Sequence, residues 1–176
     1  PDVVRATATW RIERLATGED GASAVAATAG GRFAVGDGRG ASLREPEGVV
    51  RRIDLADVVR DLAFDADGAL WIASAAGLFR YAHGRAVLRT PAPGEGARDA
   101  LRVTVAGGVV AVASGAGVHW SRDGERFARI DVAEGEVVVN GLAAEATPNG
   151  DVRVWIAADR GLFAAALGAG LAGVRA

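Results

Sequence analysis

Glycine recurs along this chain at intervals of roughly forty residues, the length of one small supersecondary unit in a repeat protein. With Gly40, Gly77, Gly117 and Gly161 as anchors, the intervals are 37, 40 and 44 residues. Gly31, Gly68 and Gly108 lie nine residues before the first three anchors, and Gly150 lies eleven before the fourth. Gly84, Gly124 and Gly168 follow the last three anchors by seven, and Gly48 follows the first by eight. A chain of 176 residues holds four such units, so whatever forms in one unit must form again, stacked on its neighbours.

The segments between the glycines read as strands. Leu101-Arg102-Val103-Thr104-Val105 alternates apolar and polar residues, the period of a strand with one buried face, and Leu62-Ala63-Phe64 holds the same place one unit earlier. After a glycine turn come the apolar runs Leu70-Trp71-Ile72-Ala73, Val109 to Ala113 and Val154-Trp155-Ile156-Ala157, which suit strands covered on both faces. Trp71 and Trp155 each lie six residues before an anchor, where the other two units have Ala34 and Ala111. A third strand follows each anchor (Ser42-Leu43, Leu78 to Tyr81, Val118 to Trp120, Leu162-Phe163), and a fourth follows in Val49 to Ile53, Ala86 to Leu88 and Phe127 to Ile130.

Four short antiparallel strands with glycine at the turns describe one blade of a β-propeller, a sheet too small to bury both faces unless it is stacked between others. Trp10 to Leu15 resembles the fourth strand of a preceding blade. The fold expected is all-β: a β-propeller of about four visible four-stranded blades with an extra N-terminal outer strand. It forms one region over 1–176, with units at 1–18, 19–57, 58–96, 97–135 and 136–176. Four blades close by themselves and larger rings are common, so a closed ring and a segment of a larger one both fit. An incomplete ring would expose apolar blade faces and self-associate. The fourteen residues from Gly161 to Val174 are apolar but carry four glycines and are bounded by Arg160 and Arg175. They read as the hairpin of a last blade, because a spanning helix needs about 20 apolar residues.

Composition narrows the function. Half of the residues are hydrophobic and 6% are aromatic, which permits a core built of Ala, Val and Leu and argues against disorder. A net charge of −2 provides no field for a nucleic-acid backbone or an anionic membrane surface. All 20 basic residues are Arg, the pattern of a GC-rich coding sequence, and the absence of Cys excludes disulfides, thiolate metal sites and cysteine nucleophiles. The chain begins at Pro1, as a processed product or a piece of a longer polypeptide would.

Val59 to Tyr81, VRDLAFDADGALWIASAAGLFRY, resembles the repeat of two-component-regulator propellers, a D-x-x-G-x-[LI]-W-[IV] core followed by a G-[LI]-[FY] strand. Val139 to Phe163 carries a looser copy, NGDVRVWIAADRGLF, and the other two units lack the Trp. This resemblance implies an extracytoplasmic sensing propeller of a bacterial signalling protein, with no catalytic residues in the propeller itself. Val118 to Phe127, VHWSRDGERF, resembles the Asp-box hairpin of sialidase-type and sortilin-type propellers, with Ser121, Asp123 and Phe127 near the motif's places and one residue too few. That motif is a structural turn in which hydroxyl and carboxylate occupy backbone donors.

Candidate chemistry is sparse. Asp65-Ala66-Asp67-Gly68 lacks the further oxygen ligands of a calcium loop, with Ala63 and Ser74 in their places, and reads as a hairpin turn. Gly36-Asp37-Gly38-Arg39-Gly40 lacks the Lys-Ser/Thr ending of a phosphate loop. His83 and His119 fall at different repeat positions, and Tyr81, the sole tyrosine, falls on an outer strand. The pairs Glu19/Asp20, Asp54/Asp57 and Glu134/Glu136 sit in polar connections.

No catalytic residue, metal site or cofactor is expected. If a small ligand or a partner protein binds, propeller geometry favours the loops at one end of the ring. There the connections before the anchors bring Asp37, Arg39, Ser74, Ser114, Asp159 and Arg160, and the entry turns of the inner strands bring Arg60, Asp61, Arg98, Asp99 and Asn140. The reading is a non-enzymatic recognition module. A propeller enzyme with catalytic residues partly outside the chain and a protein-interaction scaffold are the alternatives.

Overall fold

The structure is a computed structural model describing residues 21–89, 99–132 and 137–168. The strand proposed at Trp10 to Leu15 lies outside these residues, as does Arg98. The described residues form four antiparallel meanders and no helix. The first sheet is β1 (Ala24–Ala27), β2 (Phe33–Asp37), β3 (Gly40–Arg44) and β4 (Val50–Asp54). The second is β5 (Val59–Phe64), β6 (Leu70–Ser74), β7 (Gly77–Ala82) and β8 (Arg85–Arg89). The third is β9 (Ala100–Ala106), β10 (Val109–Ser114), β11 (Gly117–Ser121) and β12 (Ala128–Ile130). The fourth has three described strands, β13 (Val139–Ala146), β14 (Val152–Ala158) and β15 (Gly161–Leu167).

In three sheets the first turn is the same loop. Gly31, Gly68 and Gly150 donate their N–H to Thr28, Asp65 and Thr147 at 3.0–3.1 Å, with φ of +82°, +78° and +83°, a region glycine enters without steric cost. The third sheet turns more tightly on Gly107-Gly108, both at positive φ, the backbone of a two-residue hairpin whose twist matches its strands.

In the second sheet this turn is tied to the core through one side chain. Asp65 Oδ1 accepts the N–H groups of Asp67 and Ala69 at 3.1 and 2.8 Å. Its Oδ2 accepts the Trp71 indole N–H at 3.2 Å and the Arg80 guanidinium at 3.1 Å, and Arg80 stacks over the indole. The Asp, Gly and Trp of the repeat motif are thus parts of one structural unit. Position 124 must be small, because a Cβ there would come within 2.9 Å of the Trp71 ring.

The inner strands pack in the order β1, β5, β9, β13, and β13 makes no comparable contact with β1, so the described sheets form an open arc. Three cores lie between successive sheets. Ala34, Leu43 and Ile53 meet Leu62, Leu70 and Ile72; Trp71, Ala73 and Leu78 meet Val103, Val110 and Val112; Ala111, Val118 and Ile130 meet Val152, Val154 and Ile156. Strands β6 and β10 are buried at every position because sheets cover both faces, whereas β14 alternates buried and more exposed residues. Tyr81, on the third strand of its sheet, is buried between the first and second sheets.

Near its start, each of β5, β9 and β13 carries an irregularity against the second strand, around Arg60, Leu101 and Asn140. A bulge inserts one residue and re-aims its side chain, so all three fall at the same end of the inner strands.

Candidate functional site

That end also carries the β2–β3, β6–β7, β10–β11 and β14–β15 turns and the connections from one sheet to the next. Most of the charged residues expected there are engaged in holding the fold. Asp37 Oδ1 accepts Arg39 N at 2.8 Å and Arg52 Nη2 at 2.9 Å, its Oδ2 accepts Arg52 Nη1, and Arg52 Nε reaches Asp54 at 3.0 Å. The Arg52 bond holds the Asp37 carboxyl below the usual range, and Asp37 raises Arg52 further above its already high value. The Arg39 carbonyl accepts the N–H groups of Leu55 and Ala56 at 3.0 and 3.1 Å, fastening the connection into the second sheet.

Four of the expected residues bridge sheets. Arg60 donates to Asp99 from the second sheet to the start of the third. Asp61 accepts its neighbour Leu62 N at 2.9 Å and, across the interface, Val103 N at 3.0 Å. The Asn140 carbonyl accepts Arg102 Nε at 3.0 Å, from the third sheet to the fourth. Asp159 closes a reciprocal pair with Val138, donating its N–H at 3.0 Å and accepting Val138 N–H at 3.2 Å. Arg160 sits in the β14–β15 turn. Ser74 and Ser114 are buried and donate to the carbonyls of Gly77 and Gly117.

At this same end a cleft of about 680 Å³ opens between the third and fourth sheets. Its floor is Leu101, Val118 and Ile130, and Val132, Val137 and Val138 form the wall that the connection between the two sheets supplies. Asp159, through its pair with Val138, fixes that wall. The polar lining is Ser114, backbone of the β10–β11 turn, and Arg129, the one charged residue among the described lining residues. Arg129 Nε lies 3.4 Å from Asp131, and both side chains are exposed, an ion pair held at about 0–1 kcal/mol and therefore exchangeable for another anion.

Sequence reasoning named Ser114 but missed the apolar wall and Arg129, since a valine run beside a polar connection carries no signal until the next sheet is placed against it. A second cleft, about 570 Å³ between the first and second sheets at the opposite end, is polar, and its Arg32 is already held by Glu45 and the Gly68 carbonyl.

Other chemistry is absent among the described residues. No group of three or more metal-ligating side chains forms, and no helix is long and apolar enough to cross a membrane. His119 is buried between the second and third sheets with no partner at Nδ1, and burial followed by the Arg129 charge lowers its pKa. The Ser121 hydroxyl donates to Asp123 at 2.9 Å and accepts Gly124 N at 2.9 Å, while Asp123 accepts Glu125 N and Arg126 N at 2.8 Å each. These donors, the Arg126 amide first, hold Asp123 at about 2. The turn uses its carboxylate internally.

Solved structures share this arrangement of sheets. Virginiamycin B lyase from Staphylococcus aureus superposes with a TM-score of 0.58 at 13% identity, over 82% of this chain and 55% of that one. The fold is a β-propeller. The extracellular domain of the putative hybrid two component system BT4673 from B. thetaiotaomicron gives 0.61 at 12% identity, over 86% of this chain and 21% of that one. XC5397 from Xanthomonas campestris, described as a gluconolactonase, gives 0.57 at 16%, over 84% and 58%. The propeller thus spans a little over half of the two proteins named as enzymes and about a fifth of the two-component protein. No protein-family model and no curated protein matches the chain.

Proposed function

We propose that this chain is a recognition segment of a β-propeller that works outside the cytoplasm and binds a compact, mainly apolar molecule bearing one anionic group. The observation that carries this reading is the cleft between the third and fourth sheets, whose described residues are apolar on floor and wall with the exchangeable cation Arg129 at the side. A pocket of several hundred Å³ with few convergent polar groups is the usual form of a small-molecule site. Among the described residues the lining is apolar side chains with Ser114 and Arg129, the make-up of a binding pocket. The two-component resemblance and the extracellular domain among the structural neighbours support an extracytoplasmic sensing role. Arg60, Asp61, Asp99, Asn140 and Asp159 serve this site by holding the sheets and the cleft wall, with Asp37, Arg39 and Arg160 at the same end for a larger ligand or partner; Arg98, expected beside them from the sequence, lies outside the described residues. The Ser121–Gly124 turn is read as an Asp-box-like structural hairpin.

The presence of a lyase and a gluconolactonase among the structural neighbours favours a second reading, a propeller enzyme whose catalytic residues lie partly outside this segment. A panel of aliphatic and aromatic carboxylic acids and their primary amides, followed by thermal shift and calorimetry, separates the readings. Binding of acids over amides, lost in Arg129→Ala and blocked by Val138→Asp, supports the proposal. Acids and amides that bind equally, or turnover by this segment alone, refute it.

A further inference from the structure

Each internal interface joins the same two faces. The forward face of one sheet, marked by Ala34, Trp71 and Ala111 in turn, is covered by the backward face of the next, marked by Leu70 and Ile72, Val110 and Val112, and Val154 and Ile156. At the ends of the arc one face of each kind is left without a described sheet against it. The backward face of the first sheet carries Val25, Phe33 and Val35, with Val25 69% exposed. The forward face of the fourth carries Trp155, Ala157, Leu162 and Ala164, with Leu162 69% exposed. Trp155 stands in the register of Trp71, between a first-strand Ala and a third-strand residue, but Trp71 is 3% exposed because the third sheet seats Gly124 on its ring. The first sheet's counterpart of Gly124 is Gly48, which has open space where its Cβ would be.

We infer that a second copy of this chain completes both faces, the first sheet of each copy packing on the fourth sheet of the other to close a two-copy ring of eight sheets. A single copy carries both halves of the missing interface, and in a two-fold pair each half meets its complement simultaneously. Eight sheets is within the range of closed propellers. The backward face also suits a contact between separately folded chains. Ser42 and Arg52 replace the cross-strand pair Phe79 and Leu88 of the second sheet, giving a polar border to the apolar patch of Val25, Phe33 and Val35, the anatomy of a reversible interface. This inference stands independently of the ligand reading.

Sedimentation velocity on the chain and two variants tests it. The unaltered chain sediments as a dimer. Trp155→Arg, which spoils only the forward face, and Val35→Arg, which spoils only the backward face, sediment as monomers, and an equal mixture of the two regains a dimer through the one intact pair of faces. Far-UV circular dichroism checks that each variant is folded, and Leu162→Arg replaces Trp155→Arg if the latter is not. A monomeric unaltered chain, a dimer that survives both substitutions, a mixture that stays monomeric, or an assembly that grows beyond two copies with concentration overturns the inference.

Discussion

Replacing Asp65 by Ala removes the one carboxylate that joins the first turn of the second sheet to its tryptophan. Two backbone bonds to Oδ1 disappear, each worth about 0.5–1.5 kcal/mol. The Trp71 N–H loses its acceptor at Oδ2. The ring is 3% exposed and cannot turn to water, so an unsatisfied donor costs about 1–3 kcal/mol more. One group serves all of these bonds, so they are lost together and do not sum independently. The expected destabilisation is about 3 kcal/mol, or about 6–12 °C in Tm for a chain of this size. Asp65→Asn keeps the Oδ1 acceptor but turns an NH2 toward the Trp71 N–H and Arg80, and falls by about 2 kcal/mol. Asp67→Ala is the control: its carboxylate has no partner among the described residues, and the change stays within about 0.5 kcal/mol. Urea titration followed by tryptophan fluorescence and by circular dichroism measures all three. If Asp65→Ala lies within about 1 kcal/mol of Asp67→Ala, the repeat motif's Asp does not hold the turn to the core and the reasoning fails.

Other substitutions read other parts of the arc. Gly124→Ala forces a Cβ at φ +71° to within 2.9 Å of Trp71 and costs about 2 kcal/mol or more, whereas Gly48→Ala, at φ +88° in open space, costs about 1 kcal/mol in the isolated chain; equal melting losses would contradict the packing described. His119 is depressed from 6.5, so the unfolded imidazole takes up a proton before the folded one does. Stability is therefore complete above that value and is lost as pH falls through the lower folded pKa. His119→Phe places there the residue that Phe79 and Phe163 supply in neighbouring sheets, and the urea midpoint between about pH 7 and pH 5 should flatten relative to the unaltered chain. Asp61→Ala, which breaks the bond to Val103 N across two sheets, should lose about 1–2 kcal/mol. Arg60→Ala breaks an ion pair whose side chains are 31% and 47% exposed and should lose less than about 1 kcal/mol in the same denaturation series.

The architecture was legible because its signals are local. Gly31, Gly68 and Gly150 stand where the backbone needs positive φ, and the alternation in β9 and the apolar runs in β6 and β10 follow the strand period. The charges expected at one end of the ring were legible as residues but not as partners. Asp61 reaches an amide 42 positions away and Asp159 pins Val138, and neither distance exists until sheets are stacked.

The cleft is a still clearer case, since Leu101 and Ile130 on its floor and Val138 in its wall belong to separate segments and enclose one space only when the fourth sheet leans on the third. By itself the sequence determined the repeat, the turns and the small antiparallel sheet, because period, glycine conformation and strand pattern act over a few residues at a time. Only the tertiary structure decided that Trp71 is core while Trp155, in the same register, stays half-buried with no described sheet against it. Burial belongs to the neighbouring sheet, and no residue carries it alone.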